Sequence, residues 1–385
     1  MFRRTLLASL AAPLIARARG PLRLGVLTTL NGPAADGAGS GSVLAARLAM
    51  EDFPGVAASL LVADMGERAE TAAATAREWI DREGVHAILD VPNSAMALAV
   101  ATLVREKDRI ALFSGPGATA LTRDCSPNHL QWTYDTAALA AGSARAIVAE
   151  GGRTWFFITA DYVFGRSLQA DVSAVVAQQG GRVLGAAAFP NEMADFSALL
   201  LQARASGADV VALAAAGGPF ETLVKQAGEF GIARGGQRLA SPLCLITNVH
   251  AIGLAASQGL LVTSPFYWDF DSGTRAFAAR FMPRNRGIAP TLTHAGVYSA
   301  TSHLLRTVAA GADPGQGAAT IAAMKRLPAH DALFGDSVLR PDGGVSHPMH
   351  LFEVKAPAAQ RAPWDYYRLL RTISADEAFR RAAVC

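Results

Sequence analysis

The sequence predicts an α/β protein of two Rossmann-like lobes with parallel sheets, joined by a three-crossover hinge. Three observations carry this prediction. Short apolar runs of strand length alternate with helix-length segments along the whole chain. After about residue 135 the alternation starts again as a second series of similar design, which points to two sheets rather than one very wide one. Helical segments within 275–327 follow that second series and can return to the first lobe. That return places crossings between the lobes near 130–137, 265–272 and 327–332, the layout of a hinged clamp.

The first series opens at Leu22–Thr28, a short apolar strand, followed by a long Gly/Ala/Asn/Pro loop and a helix from about Ser42. Ser59–Asp64 reads as the next strand. Glu70–Glu83 is helical, with Ala72, Ala73, Ala76, Trp79 and Ile80 on one face. Ala87–Asp90 is a strand ending in the polar loop VPNSA, Ala95–Lys107 a helix, and Arg109–Phe113 a strand ending in SGPGAT. In the second series Asp135 caps a helix over Thr136–Glu150. Strands at Thr154–Thr159, RVLGAAAF and Asp209–Ala216 alternate with helices at Ser167–Gln179, Phe196–Ala205 and Phe220–Phe230, and PLCLIT reads as a closing strand. Leu260–Ser264 is a further short strand. Helices follow at Arg275–Met282, His294–Ala309 and Thr320–Leu327, and the tail has strand–turn–strand character. The boundaries expected are a leader at 1–18, a first lobe of 19–134 plus 272–328, and a second of 135–271 plus 329–385.

The leader, MFRRTLLASLAAPLIARARG, has Arg3 and Arg4, an apolar run from Thr5 to Ile15 and a small-x-small end at Ala16–Ala18. That is the pattern of a cleavable signal peptide, and its run is too short to span a membrane. Without residues 1–18 the chain carries 32 basic and 32 acidic side chains. A neutral balance with no basic block gives no electrostatic reason to expect nucleic acid. Three cysteines in an oxidising compartment allow one disulfide and one leftover thiol. Cys244 lies in an apolar run and reads as the buried thiol, so Cys125 and Cys385 are the expected partners.

Catalytic signatures are missing. GAGSGS (Gly37–Ser42) and Asp64 invite a dinucleotide reading, but position 42 is Ser and the loop is too long for a pyrophosphate turn. There is no P-loop, H-E-x-x-H, C-x-x-C or G-x-S-x-G. His347 and His350 have no acid at metal spacing, so no metal is expected and no cofactor either. Ser94 and Ser114 end strands in polar loops, where a hydrolase would place a nucleophile; neither has a base visible in the sequence. The rival to a binding protein is therefore an exported oxidoreductase or hydrolase on a doubly wound sheet. Phe266–Trp268, at a presumed crossing, suits core or cleft.

The chain resembles the leucine/isoleucine/valine-binding type of periplasmic solute-binding protein, the type I fold that serves ABC importers. The resemblance covers nearly the whole chain after the leader. It rests on GVLTTLNGP, AARLAMEDF, FSGPGAT, QWTYDTAALAAG, ITADYVFG, DFSALLLQARASGADVV, KQAGEFGI, HAGVYSATSHLL and WDYYRLL in that order. It implies a non-enzymatic, periplasmic receptor, acting as a monomer, whose lobes close over a small solute and deliver it to a membrane permease. It also implies ligand contacts at Asn31, Asn93, Ser94, Ser114, Gly115 and Pro116 on the first lobe. On the second they are Tyr162, Gly217 and Asn248, with Tyr267 near the hinge. Ser114, Gly115 and Pro116 would meet the solute's carboxylate with hydroxyl and backbone N–H groups. Amino-acid binders of this type place an acid in the second lobe. Here the expected strand end carries T-N-V-H, with neutral Asn248 and His250, and Ala34 follows Pro33 where many members have an aromatic. Burying an ammonium without a carboxylate is costly, so the expectation is an organic or aromatic acid, with an amino acid or amide next.

Overall fold

The computed structural model describes residues 20–385 apart from positions 33, 34, 67, 124, 191 and 384. The expected leader at 1–18 lies outside the described residues. The first series runs β1 (Leu22–Thr28), α1 (Gly39–Glu51), β2 (Ala58–Asp64), α2 (Ala69–Asp81), β3 (Ala87–Asp90), α3 (Ser94–Glu106), β4 (Ile110–Phe113), the short α4 (Ala120–Arg123) and β5 (His129–Gln131). Its five strands are parallel in the order β2-β1-β3-β4-β5. Chain order reverses beside β1, so the loops after β1 and β3 diverge and leave a crevice at the strands' carboxyl ends. Every residue of β3 and β4 is buried, as central parallel strands covered on both faces must be. Trp79 and Ile80 of α2 and Met96, Val100 and Val104 of α3 cover one face, packing on Ile88, Ala111 and Phe113.

The second series is α5 (Thr136–Ala149), β6 (Thr154–Ala160), α6 (Val163–Gln178), β7 (Arg182–Phe189), α7 (Ser197–Ala205), β8 (Val210–Ala214), α8 (Gly218–Glu229), β9 (Arg238–Ala240), α9 (Ile246–Ile252), α10 (Leu254–Ser257) and β10 (Leu261–Ser264). After it come α11 (Ser272–Phe281), α12 (Leu292–Ala309), α13 (Gly317–Arg326), β11 (Ala329–Asp331), β12 (Gly335–Leu339), β13 (Val345–Ser346), β14 (Met349–Val354), β15 (Tyr367–Ile373) and α14 (Ala375–Ala378). The second sheet has the order β15-β14-β10-β9-β8-β6-β7, and β14 and β15 are its antiparallel addition. Here the reversal falls beside β6. The strands β11–β13 form a small sheet of their own, bridged to β5 through Gln131 and Gly344.

The helix α12 closes the open face of the first sheet by packing on α1, and glycine makes the approach possible. A Cβ on Gly41 would lie 2.3 to 2.9 Å from the His294 ring. That ring is fixed at both nitrogens: Nδ1 accepts from Thr291 N–H at 3.1 Å and Nε2 donates to the Ala38 carbonyl at 2.8 Å. The GAGSGS run is therefore mostly helix. The structure corrects the expected start at Ser42 to Gly39, and Gly41 serves helix packing rather than a phosphate.

PLCLIT is also corrected. The strand of that region is Arg238–Ala240, and Ile246–Ile252 is helical. Apolar content alone suits a strand, but Asn248 in the first turn accepts from the Leu245 N–H at 2.9 Å and stabilises a helix start.

Three stretches connect the two sheets: 132–135, 265–271 and the β11–β13 region. Along the first, Trp132 Nε1 donates to Ser299 Oγ at 2.9 Å, Tyr134 O–H donates to the Gly115 carbonyl at 2.6 Å, and Asp135 caps α5 through Ala138 N–H at 2.8 Å. A covalent link is added by the tail after β15. Cys385 is bonded to Cys125, 260 residues away, with Cα atoms 5.7 Å apart. Nearby, Arg380 donates to the Thr119 carbonyl at 2.9 Å and Thr122 Oγ1 at 2.7 Å. Cys244 is buried and free.

Candidate functional site

The loops at the carboxyl ends of β3 and β4 form one wall. Asn93 is the N-cap of α3: its Oδ1 accepts from Ala95 N–H at 2.9 Å and Met96 N–H at 3.2 Å. Its side-chain oxygen is thus committed to the helix, and only its amide nitrogen is left to offer a solute. Ser94, buried, accepts from Ala118 N–H at 3.3 Å and ties α3 to the SGPGAT loop. Within that loop the Gly115 carbonyl is held by Tyr134 and the Pro116 carbonyl by Gln131 Nε2 at 3.0 Å. The Ser114 carbonyl accepts from Thr133 Oγ1 at 2.5 Å, while its own Oγ is buried with no partner among the described residues. A loop with its carbonyls tied back leaves hydroxyl and N–H groups as its offer, the polarity an anion needs.

The facing wall comes from the carboxyl ends of β6 and β8. Tyr162 is the residue before α6, half-buried, and its hydroxyl is pushed above the ordinary phenol range by burial. Gly217 precedes α8 at φ +75°, a conformation that favours glycine. Asn248 is buried, and its Nδ2 donates to Glu221 Oε1 at 2.7 Å. Glu221, in the first turn of α8, is half-buried, and burial raises its carboxyl pKa against the lowering effect of the Asn248 hydrogen bond. This corrects the expectation of a neutral second wall: a carboxylate stands directly against the residue expected to mark its absence.

The walls touch. Thr119 Oγ1 and Ser167 Oγ are 3.2 Å apart across the divide, a Cβ on Gly117 would meet Phe164 at 3.0 Å, and one on Gly37 would meet Leu245 at 2.7 Å. The lobes are closed on each other. Asn31 lies outside this contact, exposed, with its amide donating to Asp64 Oδ2 at 3.2 Å. Tyr267 is buried in the second lobe's aromatic cluster with Phe352 and Tyr367, its O–H 3.4 Å from the Trp364 carbonyl. It lines a narrow cavity between Cys244–Ile246 and Pro290–Leu292 on the hinge side. Among the described residues no group of His, Cys, Asp or Glu is arranged to hold a metal, and no helix is long and apolar enough to cross a membrane.

The family model described as periplasmic binding protein matches residues 21–360. The chain belongs to the periplasmic binding proteins. A periplasmic binding protein from Burkholderia mallei is 38% identical with a TM-score of 0.89, covering 94% of this chain and 96% of its own. A branched chain amino acid ABC transporter periplasmic ligand-binding protein from Burkholderia xenovorans is 36% identical with a TM-score of 0.84, covering 93% and 96%. A solute binding protein of an ABC transporter from R. palustris, in complex with benzoate, shares the fold at 19% identity and TM-score 0.82, covering 93% and 99%. No curated protein gave a match. The type I periplasmic binding protein fold and the resemblance read from the sequence are thereby established. So is the non-enzymatic class: the family and both Burkholderia structures are periplasmic binding proteins, and the oxidoreductase or hydrolase alternative is set aside.

Two polar groups of this periplasmic binding protein escaped the sequence reading. Glu221 was signalled only as an acid in the first turn of a helix opened by Gly-Pro, where such residues also serve the helix dipole. Asp90, the last residue of β3, is 0% exposed, and its significance depends on sheet order, which the linear sequence does not display.

Proposed function

We propose that this protein is an exported receptor of an ABC importer that binds a small carboxylate-bearing solute between its lobes and delivers it to a membrane permease. In this reading residues 1–18 are the export leader, the mature protein works as a monomer in the periplasm, and the lobes are 19–134 plus 272–328 and 135–271 plus 329–385. Ser94, Ser114, Gly115 and Pro116, with the Asn93 amide, receive the carboxylate. Tyr162, Gly217 and Asn248 close over the rest, and Asn31 and Tyr267 stand at the margins. The observation that carries the reading is the buried, unpartnered Ser114 hydroxyl on a loop whose carbonyls are all occupied elsewhere. A buried hydroxyl without a partner calls for an explanation, and on the loop at the carboxyl end of β4 a ligand acceptor supplies one. The benzoate held by a protein of the same fold supports an organic or aromatic acid.

Glu221 supports a second reading, an amino acid whose ammonium meets that carboxylate. A thermal-shift and calorimetric panel of benzoate, 4-hydroxybenzoate, short aliphatic acids and leucine, on protein lacking residues 1–18, separates the two. The first reading expects an acid without an amine to bind best. Ser114→Ala should then weaken binding at least tenfold and Glu221→Gln should leave it within about threefold, in line with the worth of a hydrogen bond to a charged group. Leucine binding that collapses in Glu221→Gln establishes the second reading. No shift with any of these compounds at 100 times a micromolar Kd, where about 2.7 kcal/mol of stabilisation is due, refutes both.

A further inference from the structure

Asp90 ends β3 at the point where strand order reverses, directly beside the end of β1. Its Oδ2 accepts from Thr28 Oγ1 at 2.7 Å, and that hydroxyl in turn accepts from Gly39 N–H at 3.1 Å. Its Oδ1 is buried without any partner among the described residues. That free oxygen lies beneath the carboxylate loop: a Cβ on Gly115 would come within 3.4 Å of it. Ser42 Oγ on α1, which has no other partner among the described residues, is close enough to the Asp90 carboxyl to act as a hydrogen-bond donor that lowers its pKa, and Ser114, the residue before Gly115, also has an unpartnered hydroxyl.

The backbone here is unusual. Asp90 and Val91 both have positive φ, +77° and +51°. A β-branched residue in the left-handed region is strained, and such strain persists where it sets a functional side chain.

No charge compensates the Asp90 carboxyl. The groups facing Asp90 are Thr28 from β1, Ser42 from α1, Gly115 from the loop after β4, and Tyr134 from the first crossing. The helix α12 presents Gly296 to Ser114, and its His294 is turned toward the Ala38 carbonyl. Among the described residues no Lys, Arg or His is paired with Asp90. A buried carboxylate without a cation is disfavoured, and a second carboxylate arriving beside it makes ionisation harder still.

We propose that Asp90 binds the solute's carboxylate as a neutral acid, its Oδ1–H donating to the solute, so that each acid anion is taken up together with one proton. Thr28 keeps Oδ2 as the acceptor, which leaves Oδ1 as the protonated oxygen. The proton comes from solvent and stays on Asp90 while the lobes are closed. Solute and Asp90 together then carry one negative charge instead of two, whichever acid is bound. This assignment rests on the carboxylate reading above. Burial alone already lifts the Asp90 pKa to about 6.

The sign follows. Below about pH 6 Asp90 already carries its proton, so affinity is flat. Above that, the proton must be taken up on binding, and the apparent Kd rises by up to tenfold per pH unit. Calorimetry with benzoate from pH 5.5 to 8.5 tests this. At pH 7.5, enthalpies in phosphate and Tris should differ by the amount due to about one proton absorbed per benzoate. Asp90→Asn supplies an N–H in place of the O–H and should bind at a pH-independent Kd. Glu221→Gln, which removes the other partly buried carboxyl with a raised pKa, should keep the full pH dependence. Benzoate binding in the wild type with no proton absorbed overturns the proposal, and needs no variant to fold. Loss of the pH dependence in Glu221→Gln also overturns it. Failure of every acid in the panel to bind at any pH refutes the carboxylate reading instead.

Discussion

Breaking the Cys125–Cys385 disulfide gives a prediction whose size follows from the fold. The bond closes a loop of 260 residues in the unfolded chain. In the chain-entropy model the bond removes about 19 cal/mol/K from the unfolded ensemble, or about 5.6 kcal/mol at 25 °C, as an upper figure. With an unfolding entropy of about 2.1 cal/mol/K per residue over 385 residues, that converts to roughly 7 °C in Tm. The native contacts near the bond remain in a Cys125→Ser/Cys385→Ser variant, since Arg380 still reaches Thr119 and Thr122, and Arg340 Nη1 still donates to the Arg380 carbonyl at 2.8 Å. The loss should therefore appear in stability and not in the folded spectrum. Calorimetric melting of the oxidised wild type against the double variant, both without residues 1–18, is the assay. A Tm drop between about 3 and 7 °C is expected, and reduction of the wild type should reproduce it. Melting points agreeing within 1 °C would refute the reasoning, because the unfolded state would then not feel the cross-link.

Gly41→Ala should destabilise by about 1–3 kcal/mol, the cost of overpacking a tight contact, because the new methyl meets the doubly anchored His294 ring. Gly55→Ala, with open space around its Cα and no positive φ, is the control and should be near neutral in the same melts. A Gly41→Ala protein as stable as the control would mean that α1 and α12 separate freely. Stability should also rise with pH between about 4.5 and 6.5. His129, His294 and His350 are each held down to about 4 by burial, so over this range the unfolded chain binds protons that the folded one refuses. His86, His303 and His347, also lowered by burial, add to the rise, while Asp90, raised to about 6, and Asp135, Asp171 and Glu221, raised by burial, work against it, four carboxyls against six imidazoles. A Tm that falls across that interval would show these imidazoles to be solvated.

Strand and helix order was legible because apolar runs and breakers carry it locally. Asp135 as a cap and Ala87–Asp90 as a buried strand needed only a short window. Two local readings failed, one because a buried apolar stretch fits strand or helix, the other because glycines that suggest a loop can serve a close helix contact. Leu243–Ile246 leads into a helix, and Gly39–Ser42 belongs to one because His294, far along the chain, occupies the space a side chain would take. The strand-end loops were legible as polar breaks after apolar strands. What each residue does within them was not. Asn93 turns out to spend its oxygen on a helix cap, and Asn248 to lean on Glu221. Both depend on partners that sequence spacing does not reveal. Asp90 and its unpartnered oxygen became visible only once β1 and β3 were seen side by side.

The packing of α12 on α1 has a bearing on how the chain is made. The first sheet is complete by residue 131, yet α1 covers only part of one face, and β3 and β4 lack their cover there until residues 292–309 exist. The second sheet in turn waits for β14 and β15, which end at Ile373. Neither half can mature on its own as the polypeptide emerges, and its contacts are far apart in sequence, which slows folding. Such a chain stays open until it is nearly whole.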